Sequence, residues 1–361
     1  MLTLRLILRN FAARHLVRRE DHVRILIARL RYPCLPVRFR NPEGSLPRTA
    51  GLAEFAPFFL RRLRDRRLPT VPAGHVVPLP EAKELLRTAG PESLTWLGHS
   101  SFLLRTDGMT VLTDPFLSDR ASPFRGIGPK RYVPPGLPLD ALPPIDAIVI
   151  SHDHYDHLDA RSVEEISSKG RGAVAAVVPF GLGAFFSSRR FSDIRELRWG
   201  EGTVLGRSSS SSCSFSCLPS IHFSGRTPFE RDVTLWASWA ITSRTRRVFF
   251  AGDTGYGPVF GEIGRRIGPF DLGLVPIGAY EPAAIMRPVH CTPEEAVSLG
   301  RDVGAATLVA THWGSIVLTD EPPFEPPGRF RAAANRAGYP DGRAWVMRIG
   351  ETRATAPRGT T

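Results

Sequence analysis

The stretch that decides the fold is His152-Asp153-His154-Tyr155-Asp156-His157, which directly follows an apolar run at 147–150. Three imidazoles and two carboxylates within six positions after a predicted strand indicate a metal site, because this ligand mixture suits zinc, manganese or iron. In an extended segment the first, third and fifth of these residues share one face, since side chains alternate, and the last histidine points elsewhere. One short segment therefore offers ligands to two ions.

Three dispersed residues, His222, Asp253 and His312, each follow an apolar run that is typical of a strand. Alone, such a residue is more often a cap or a turn residue than a ligand. Together with the cluster they form two sets of three, and Asp253 can bridge the sets because a carboxylate has two oxygens. The sets are His152, His154 and His222 for one ion, and Asp156, His157 and His312 for the other.

This pattern predicts a hydrolytic centre. Two ions about 3.5–4 Å apart clamp the attacking and leaving oxygens of a hydrolysis, and a bound ion lowers the pKa of water to about 7. We therefore expect metal-assisted hydrolysis of an ester or a phosphodiester, with Asp156 and Asp253 among the catalytic residues.

Positive charge is concentrated at the N-terminus. Residues 1–72 carry 16 arginines and five acidic residues, a net charge of +11, whereas the whole chain of 361 residues has +12. A basic segment interleaved with leucine, isoleucine and phenylalanine suits an anionic membrane surface. Nucleic acid is the competing partner, and a solvated arm is the third interpretation.

The organisation changes near residue 90. Residues 1–90 are rich in arginine and proline, with helical pieces predicted at 2–30 and 52–66. Residues 91–350 contain predicted strands separated by helices, and residues 351–361 are predicted to be a flexible tail. Hairpins in each half favour two mixed sheets with helices outside them, an α/β (α+β) fold.

The expected compartment is the cytoplasm, with peripheral attachment to a membrane. No apolar stretch is long enough to span a bilayer. The first nineteen residues lack acidic side chains, so organelle targeting stays open. The four cysteines fit no common zinc spacing and are expected to be free thiols.

The cluster resembles the first metal motif of the metallo-β-lactamase superfamily. The similarity continues through segments that resemble its N-acylphosphatidylethanolamine-hydrolysing phospholipases D. These are Trp96-Leu97-Gly98-His99, Leu112-Thr113-Asp114-Pro115, Gly128-Pro129-Lys130-Arg131, Gly252-Asp253-Thr254-Gly255-Tyr256, Ile277-Gly278-Ala279-Tyr280-Glu281-Pro282 and His312-Trp313-Gly314.

The resemblance implies a four-layer αββα sandwich with two zinc ions (Zn2+) held by the seven residues named above. It also implies a phospholipid substrate, which is cleaved to an N-acylethanolamine and a phosphatidic acid. An anionic membrane surface is the expected partner, and nucleic acid is not expected. A homodimer stays open. The alternative is a metal-dependent lactonase or phosphodiesterase that acts on a soluble substrate; a non-catalytic protein is the third hypothesis.

Four residues near the ligands are candidates for substrate contact. Arg226 can bind phosphate through its guanidinium, although a plain surface arginine is about as consistent with the sequence. The Tyr280 hydroxyl either contacts phosphate or closes its turn. His290 precedes a capping box and is a candidate for both catalysis and substrate binding. Tyr155 is expected at the mouth of the site.

Two more residues near the motifs receive structural roles. Asp114 is expected to orient a metal-ligating histidine, and His99 is expected to be structural. Ile221 and the pair Ser224-Gly225 depart from the resembling sequences beside the expected substrate groove. Head-group and acyl-chain preference are therefore left open.

Overall fold

Residues of the central strands alternate between two apolar layers. In the computed structural model, Ala147 and Val149 lie in the core between two β-sheets, whereas Ile148 and Ile150 belong to a second apolar cluster, with Val163, on the other face of their sheet. This period of two is the pattern of a strand that is covered on both sides. It explains why the run before the histidine cluster is continuously apolar.

In the described part of the chain, the first sheet has seven strands in the spatial order β14-β1-β2-β3-β4-β5-β6. Its strands are β1 (Ser93–Gly98), β2 (Ser101–Thr106), β3 (Met109–Thr113), β4 (Ala147–Val149), β5 (Ala175–Pro179), β6 (Ile194–Leu197) and β14 (Thr352–Ala354).

The second sheet is built from the later half of the chain, in the order β13-β12-β11-β10-β9-β8-β7. Its strands are β7 (Gly202–Ser208), β8 (Ser211–Leu218), β9 (Ser238–Thr242), β10 (Arg247–Phe250), β11 (Phe270–Pro276), β12 (Ala305–Thr311) and β13 (Ala344–Trp345). The helices flank the two sheets, so the predicted αββα sandwich is confirmed. The described helices are α1 (Leu52–Arg64), α2 (Leu79–Thr88), α3 (Ala160–Lys169), α4 (Gly183–Ser187), α5 (Val259–Arg266), α6 (Ala283–Met286), α7 (Pro293–Asp302) and α8 (Pro326–Arg336).

Two predicted helix starts are confirmed. The sequence predicts a helix from Asp159 to Lys169 with Asp159 as N-cap, and Asp159 caps α3 by accepting a hydrogen bond from the Arg161 backbone N–H. Thr292 caps α7 in a capping box with Glu295, in which each side chain satisfies a backbone donor of the other residue.

Two predicted elements are shifted. The apolar pattern at 234–241 predicts a strand, but the strand begins only at Ser238, because the backbone N–H groups of Leu235 and Ala237 donate to the carbonyls of Phe180 and Ser151 in loops. The sequence also predicts that a helix begins within 180–186, and this helix begins at Gly183. Ser211 and Ser212, directly before Cys213, belong to β8, which pairs antiparallel with β7; β7 was not predicted.

The structure describes residues 38–64, 68–124, 126–208, 211–227 and 230–355, within a compact unit that spans Arg38–Thr361. Residues 38–90 therefore belong to the same unit as the sandwich, and Val76 bridges to Ile349. The limits 91–350 for a catalytic domain stay a prediction. The helix predicted at 2–30, residues 356–361 and Cys34 lie outside the described residues. Cys213, Cys217 and Cys291 are free thiols, as predicted, and all three are buried.

Candidate metal centre

The candidate residues come together because strands of like direction end at one edge of the sandwich. In the first sheet β1, β3 and β4 run the same way, and in the second sheet β8, β10 and β12 do. Each is followed by residues of the site. These are His99 after β1, Asp114 after β3, His152 to His157 after β4, His222 after β8, Asp253 after β10 and His312 after β12.

The first predicted ligand set forms a cluster of three imidazoles. His154 Nδ1 lies 2.8 Å from His152 Nε2 and 3.2 Å from His222 Nε2. His152 and His222 are buried, and His154 is half-buried. The other ring nitrogen of His222 contacts the Val289 carbonyl at 2.9 Å, and that of His152 contacts the Ser151 hydroxyl at 2.8 Å. Such outer contacts fix the ring orientation of metal-binding histidines.

The second predicted set lies beside the first. Asp156 Oδ2 is 3.6 Å from both His157 Nε2 and His312 Nε2. Asp253 Oδ2 is 3.1 Å from the same two nitrogens and 3.9 Å from the Nε2 atoms of His152 and His222. Asp253 thus lies between the two sets, in the place predicted for the bridging carboxylate. The roles of these residues as ligands stay predictions.

Asp114 and Ser151 hold the histidine segment in place. Asp114 is fully buried, and its carboxylate accepts hydrogen bonds from the Ser151 backbone N–H and hydroxyl and contacts His157 Nδ1 at 2.7 Å. The contact predicted between Asp114 and a candidate ligand is therefore present. The Ser151 hydroxyl also reaches His152, so one carboxylate and one hydroxyl orient a histidine of each set.

Three buried tryptophans fix the loops that carry the site. Their indole N–H groups donate to backbone carbonyls: Trp96 to His99, Trp236 to Ser220 and Trp239 to Ile150. A buried indole normally requires such a partner. Here each partner stands at most two residues from a site residue, so packing in the core is coupled to the geometry of the site.

The donor set fits metal ions. The buried atoms His157 Nε2, His312 Nε2 and Asp253 Oδ1 have no hydrogen-bond partner among the described residues. Buried polar atoms are rarely left unsatisfied, and a cation between them supplies the missing partner. Imidazole nitrogens and carboxylate oxygens are the donors of zinc, manganese and iron sites.

The two halves of the centre differ in charge. Burial, reinforced by neighbouring imidazoles, holds the pKa of His152 well below its usual range, and burial does the same for His222. Burial also opposes charge on His157 and His312, but Asp253 and Asp156 outweigh it. They raise the pKa of His157 well above its usual value and that of His312 to about 9. The carboxylate-rich half thus attracts positive charge, whereas the first set offers neutral imidazoles, the form that binds metal.

Gly252 is required where the second sheet approaches the histidine segment. Its φ is 60°, and a Cβ there would stand 2.5 Å from Ser151 Cβ. We expect Gly252→Ala to lower the free energy of unfolding by about 1–2 kcal/mol through backbone strain and by about 1–3 kcal/mol more through overpacking. Metal affinity should fall too, because Ser151 orients His152.

Gly74→Ala is the matched control for this substitution. Gly74 has a φ of 78° but nothing within 4 Å of an added Cβ, so it reports strain without overpacking. Denaturant unfolding and metal titration of both variants make the comparison. Equal losses of stability with unchanged metal binding would show that Ser151 is not displaced.

Arg226 and Tyr155 contact each other, and Arg226 also binds the backbone of the histidine segment. Arg226 Nη1 donates to the carbonyls of Asp153 and Leu158 at 2.8 Å, and its guanidinium lies 4.1 Å from the centre of the Tyr155 ring. The Tyr155 hydroxyl donates to the Arg226 carbonyl at 3.0 Å. Both residues hold the loop, and their contact with substrate stays a prediction.

Tyr280 and His290 occupy different settings. Tyr280 is buried and its hydroxyl donates to Glu325 at 3.0 Å, which favours the turn-closing interpretation. His290 Nδ1 lies 4.0 Å from Asp253 Oδ2 and has no hydrogen-bond partner among the described residues. His290 also forms a group of potential metal donors with His222 and Asp253. The predicted roles of Tyr280 and His290 in substrate binding stay predictions.

Two contributors to the site were not predicted. His99 forms a group of potential metal donors with Asp156, His157 and His312, although the sequence suggested only a structural role. Asn41 Oδ1 accepts a hydrogen bond from the His222 backbone N–H at 3.0 Å. Asn41 is separated from His222 by 181 positions. Only the weak similarity of segment 38–42 to the phospholipases D named above could have drawn attention to it.

The αββα fold and the histidine–aspartate cluster define a metal-dependent hydrolase. The sequence profile of the β-lactamase superfamily domain matches residues 109–313. The chain belongs to the metallo-β-lactamase superfamily, as its motifs predicted.

Similar sequences narrow the relationship. The chain is 43% identical over 263 residues to an uncharacterized protein of Mycobacterium bovis, covering 72% of this chain and 68% of that protein. It is 39% identical over 239 residues to N-acyl-phosphatidylethanolamine-hydrolyzing phospholipase D 1 of Caenorhabditis elegans, covering 64% and 67%. It is 33% identical over 261 residues to the mitochondrial N-acyl-phosphatidylethanolamine-hydrolyzing phospholipase D of Saccharomyces cerevisiae, covering 72% and 55%.

Solved structures support the fold. An isothiocyanate hydrolase from Delia radicum gut bacteria is similar with a TM-score of 0.57 at 19% identity, covering 73% of this chain and 99% of that one. The metallo-hydrolase Igni18 of Ignicoccus hospitalis gives 0.53 at 21% identity, covering 72% and 96%.

Proposed function

We propose that this chain is a zinc-dependent phosphodiesterase that hydrolyses N-acylphosphatidylethanolamine to an N-acylethanolamine and a phosphatidic acid. The observation that carries the proposal is its 39% identity to a worm protein named for this reaction. All seven predicted ligands converge at one edge of the fold, which supports a two-metal centre. Metal-dependent hydrolysis follows from the superfamily, whereas zinc and the lipid substrate are the proposed parts.

The predicted ligand sets would hold two ions, with Asp253 between them. When bound, such ions supply a nucleophile at neutral pH and stabilise charge on a phosphoryl group. The chain itself supplies orientation, because Asp114, Ser151 and the Val289 carbonyl fix the rings of the candidate ligands. A site held this way needs little rearrangement during the reaction.

The half-buried residues indicate where a substrate approaches. His154 and Asp156 are half-buried, whereas the other predicted ligands are buried. The Phe223 ring lies 4.5 Å from the His154 ring, and the Arg48 guanidinium lies 5.7 Å from the centre of the Phe223 ring. Arg48 also pairs with Asp232 at 2.7 Å. An apolar ring beside a cation suits a ligand with an acyl chain and a phosphate.

His290 is the proposed carrier of the proton for the leaving alkoxide. Burial lowers its pKa to about 4, so its ring is neutral at neutral pH and carries one N–H. In the proposed step the N–H proton passes to the alkoxide while the other ring nitrogen accepts a proton from the attacking water, so the ring ends neutral. Its Nδ1 is free of other partners among the described residues, so the ring can exchange a proton with groups at the centre. General acid–base catalysis of this kind contributes about 10²–10⁴-fold.

The proposed function is tested with purified, zinc-loaded protein and N-acylphosphatidylethanolamine in mixed micelles. Mass spectrometry should detect equal amounts of N-acylethanolamine and phosphatidic acid. Phosphatidylcholine micelles, a lactone and a soluble phosphodiester serve as competing substrates. Hydrolysis of only a lactone or a soluble phosphodiester would establish the alternative function and contradict the lipid assignment.

An exposed helix supports the proposal that the enzyme works at a membrane surface. Leu52, Phe59 and Leu60 of α1 are 82%, 58% and 59% exposed. In the same helix, Arg61 pairs with Asp320, and Arg62 donates a hydrogen bond to the Thr319 carbonyl. Thr319 and His312 line the same cavity. An apolar helix face flanked by arginines suits the interface of an anionic bilayer. No helix in the described ranges is long and apolar enough to cross a membrane.

Substitution of this face should weaken membrane binding. A Phe59→Asp, Leu60→Asp double variant is expected to bind phosphatidylglycerol-containing vesicles at least about tenfold less, since burying one such side chain contributes about 1.5–3 kcal/mol. Flotation with vesicles measures the change. Val204→Asp is the control, because Val204 is 64% exposed on a β-strand elsewhere. Equal binding by both variants and the wild type would exclude α1 as the contact.

A further inference from the structure

His99 stands at the turn between β1 and β2 and was not among the predicted ligands. It is buried, and its backbone has a φ of 54°, in the left-handed region that non-glycine residues rarely adopt. Such strain persists only where the surrounding structure enforces it, and it is often found at functional sites.

The side chain of His99 contacts the second predicted ligand set. Its Nε2 lies 3.0 Å from Asp156 Oδ2, and its ring centre lies 4.1 Å from that of His312. A carboxylate that lies beside cations is ionised and can only accept hydrogen bonds, so the hydrogen is on His99 Nε2. That nitrogen is then a donor to Asp156 and has no lone pair to offer a metal.

The backbone of His99 also contacts the second predicted ligand set, at His312. Its carbonyl accepts hydrogen bonds from the His312 backbone N–H at 3.1 Å and from the Thr311 hydroxyl at 2.9 Å. The Trp96 indole donates to the same oxygen at 2.9 Å. The His99 N–H donates to the Ser315 hydroxyl at 2.8 Å. One residue of the first sheet is therefore tied to the loop that presents His312 in the second sheet.

We propose that His99 is a positioning residue for the second metal position, holding Asp156 through its side chain and His312 through its carbonyl. This inference rests on the proposed two-metal function. It assigns His99 a positioning role, because Nε2, the nitrogen that faces Asp156, carries a hydrogen and cannot coordinate an ion beside that carboxylate.

The proposal predicts a selective defect. Loss of the N–H donor allows the Asp156 carboxylate to rotate out of position. When a metal ligand loses the hydrogen-bond partner that orients it, metal affinity typically falls about 10- to 100-fold. Only the second position should be affected, because His152, His154 and His222 make no described contact with the His99 side chain. The carbonyl contact with His312 is independent of side-chain type.

Two substitutions of His99 distinguish the loss of its hydrogen-bond donor from the loss of its ring volume. His99→Gln places an amide N–H near the position of Nε2, whereas His99→Leu has no donor. Neither replacement is branched at Cβ and both must adopt the same positive φ, so backbone strain is matched. His75→Leu is the control for loss of a buried imidazole: His75 contacts the Gly314 carbonyl at 2.6 Å and touches no predicted ligand.

The measurement is cobalt titration of the full chain after metal removal, followed by visible absorption and by metal content after dialysis. We expect two binding phases in the wild type, His75→Leu and His99→Gln, and a second phase weakened about 10- to 100-fold in His99→Leu. Two unchanged phases in His99→Leu would overturn the proposal. An equal loss of metal affinity in His99→Gln and His99→Leu would also overturn the proposal, since that result indicates that the His99 imidazole binds the ion directly.

The lipid assay separates this inference from the proposed function. Wild-type protein that binds two ions but cleaves no N-acylphosphatidylethanolamine would refute the lipid assignment and leave the role of His99 standing. Wild-type protein with a single binding phase would overturn the positioning role, because no second position would exist.

Discussion

Asp253→Asn protein is expected to lose lipid hydrolysis by roughly 10³-fold or more and to bind fewer than two metal ions. The Asp253 carboxylate lies between the two ligand sets. Its Oδ2 is 3.1 Å from Nε2 of His157 and of His312, and its Oδ1 has no hydrogen-bond partner among the described residues. An amide keeps one oxygen and loses the negative charge. It can serve one ion, but it cannot bridge two cations.

Asp107→Asn provides the control for this substitution. Asp107 is also a buried aspartate, but it occupies the β2–β3 turn at the opposite edge of the sheet and accepts hydrogen bonds from Arg244. Its φ of 47° suits asparagine. The metal content of Asp107→Asn protein, measured by mass spectrometry, and its hydrolysis rate should match those of the wild type. Two fully occupied ions in Asp253→Asn would contradict the bridging assignment.

Most of the site could be predicted because its signals are local. The histidine segment combines a strand pattern with a ligand-rich turn in the eleven consecutive residues 147–157. His222, Asp253 and His312 are single polar residues after apolar strands, and strands that point the same way deliver such residues to one edge. The apolar runs therefore predicted the strands that lead into the site, and the resemblance implied the same seven ligands.

The unpredicted contributors are linked to the site through contacts that no local pattern reveals. Asn41 acts through its side chain on the backbone of His222, 181 positions away. His99 acts partly through its carbonyl, which every residue type possesses.

Strand β7 is polar and mostly exposed, with Leu205 as its buried residue, so it lacks the alternation that marks the inner strands.

Charge explains why the centre should depend on its metal for stability. Asp156 and Asp253 are ionised although burial opposes it, because nearby imidazoles, His157 foremost, hold the pKa of each carboxyl well below its usual range. In the absence of metal, those imidazoles must carry the compensating charge. Metal ions replace protons on rings that are already oriented by Asp114 and Ser151, so binding should add to the free energy of unfolding.

Removal of metal should therefore abolish hydrolysis and lower the melting temperature. An ion present at 1,000 times its Kd stabilises the folded state by about 4 kcal/mol, which corresponds to a fall of several degrees on its removal. Dialysis against a chelator, calorimetry and separate re-addition of zinc, manganese and iron make the test. Zinc should restore both properties at about two equivalents. Full hydrolysis by protein shown to lack metal would contradict the metal-dependent centre, and selective recovery with iron or manganese would contradict the assignment of zinc.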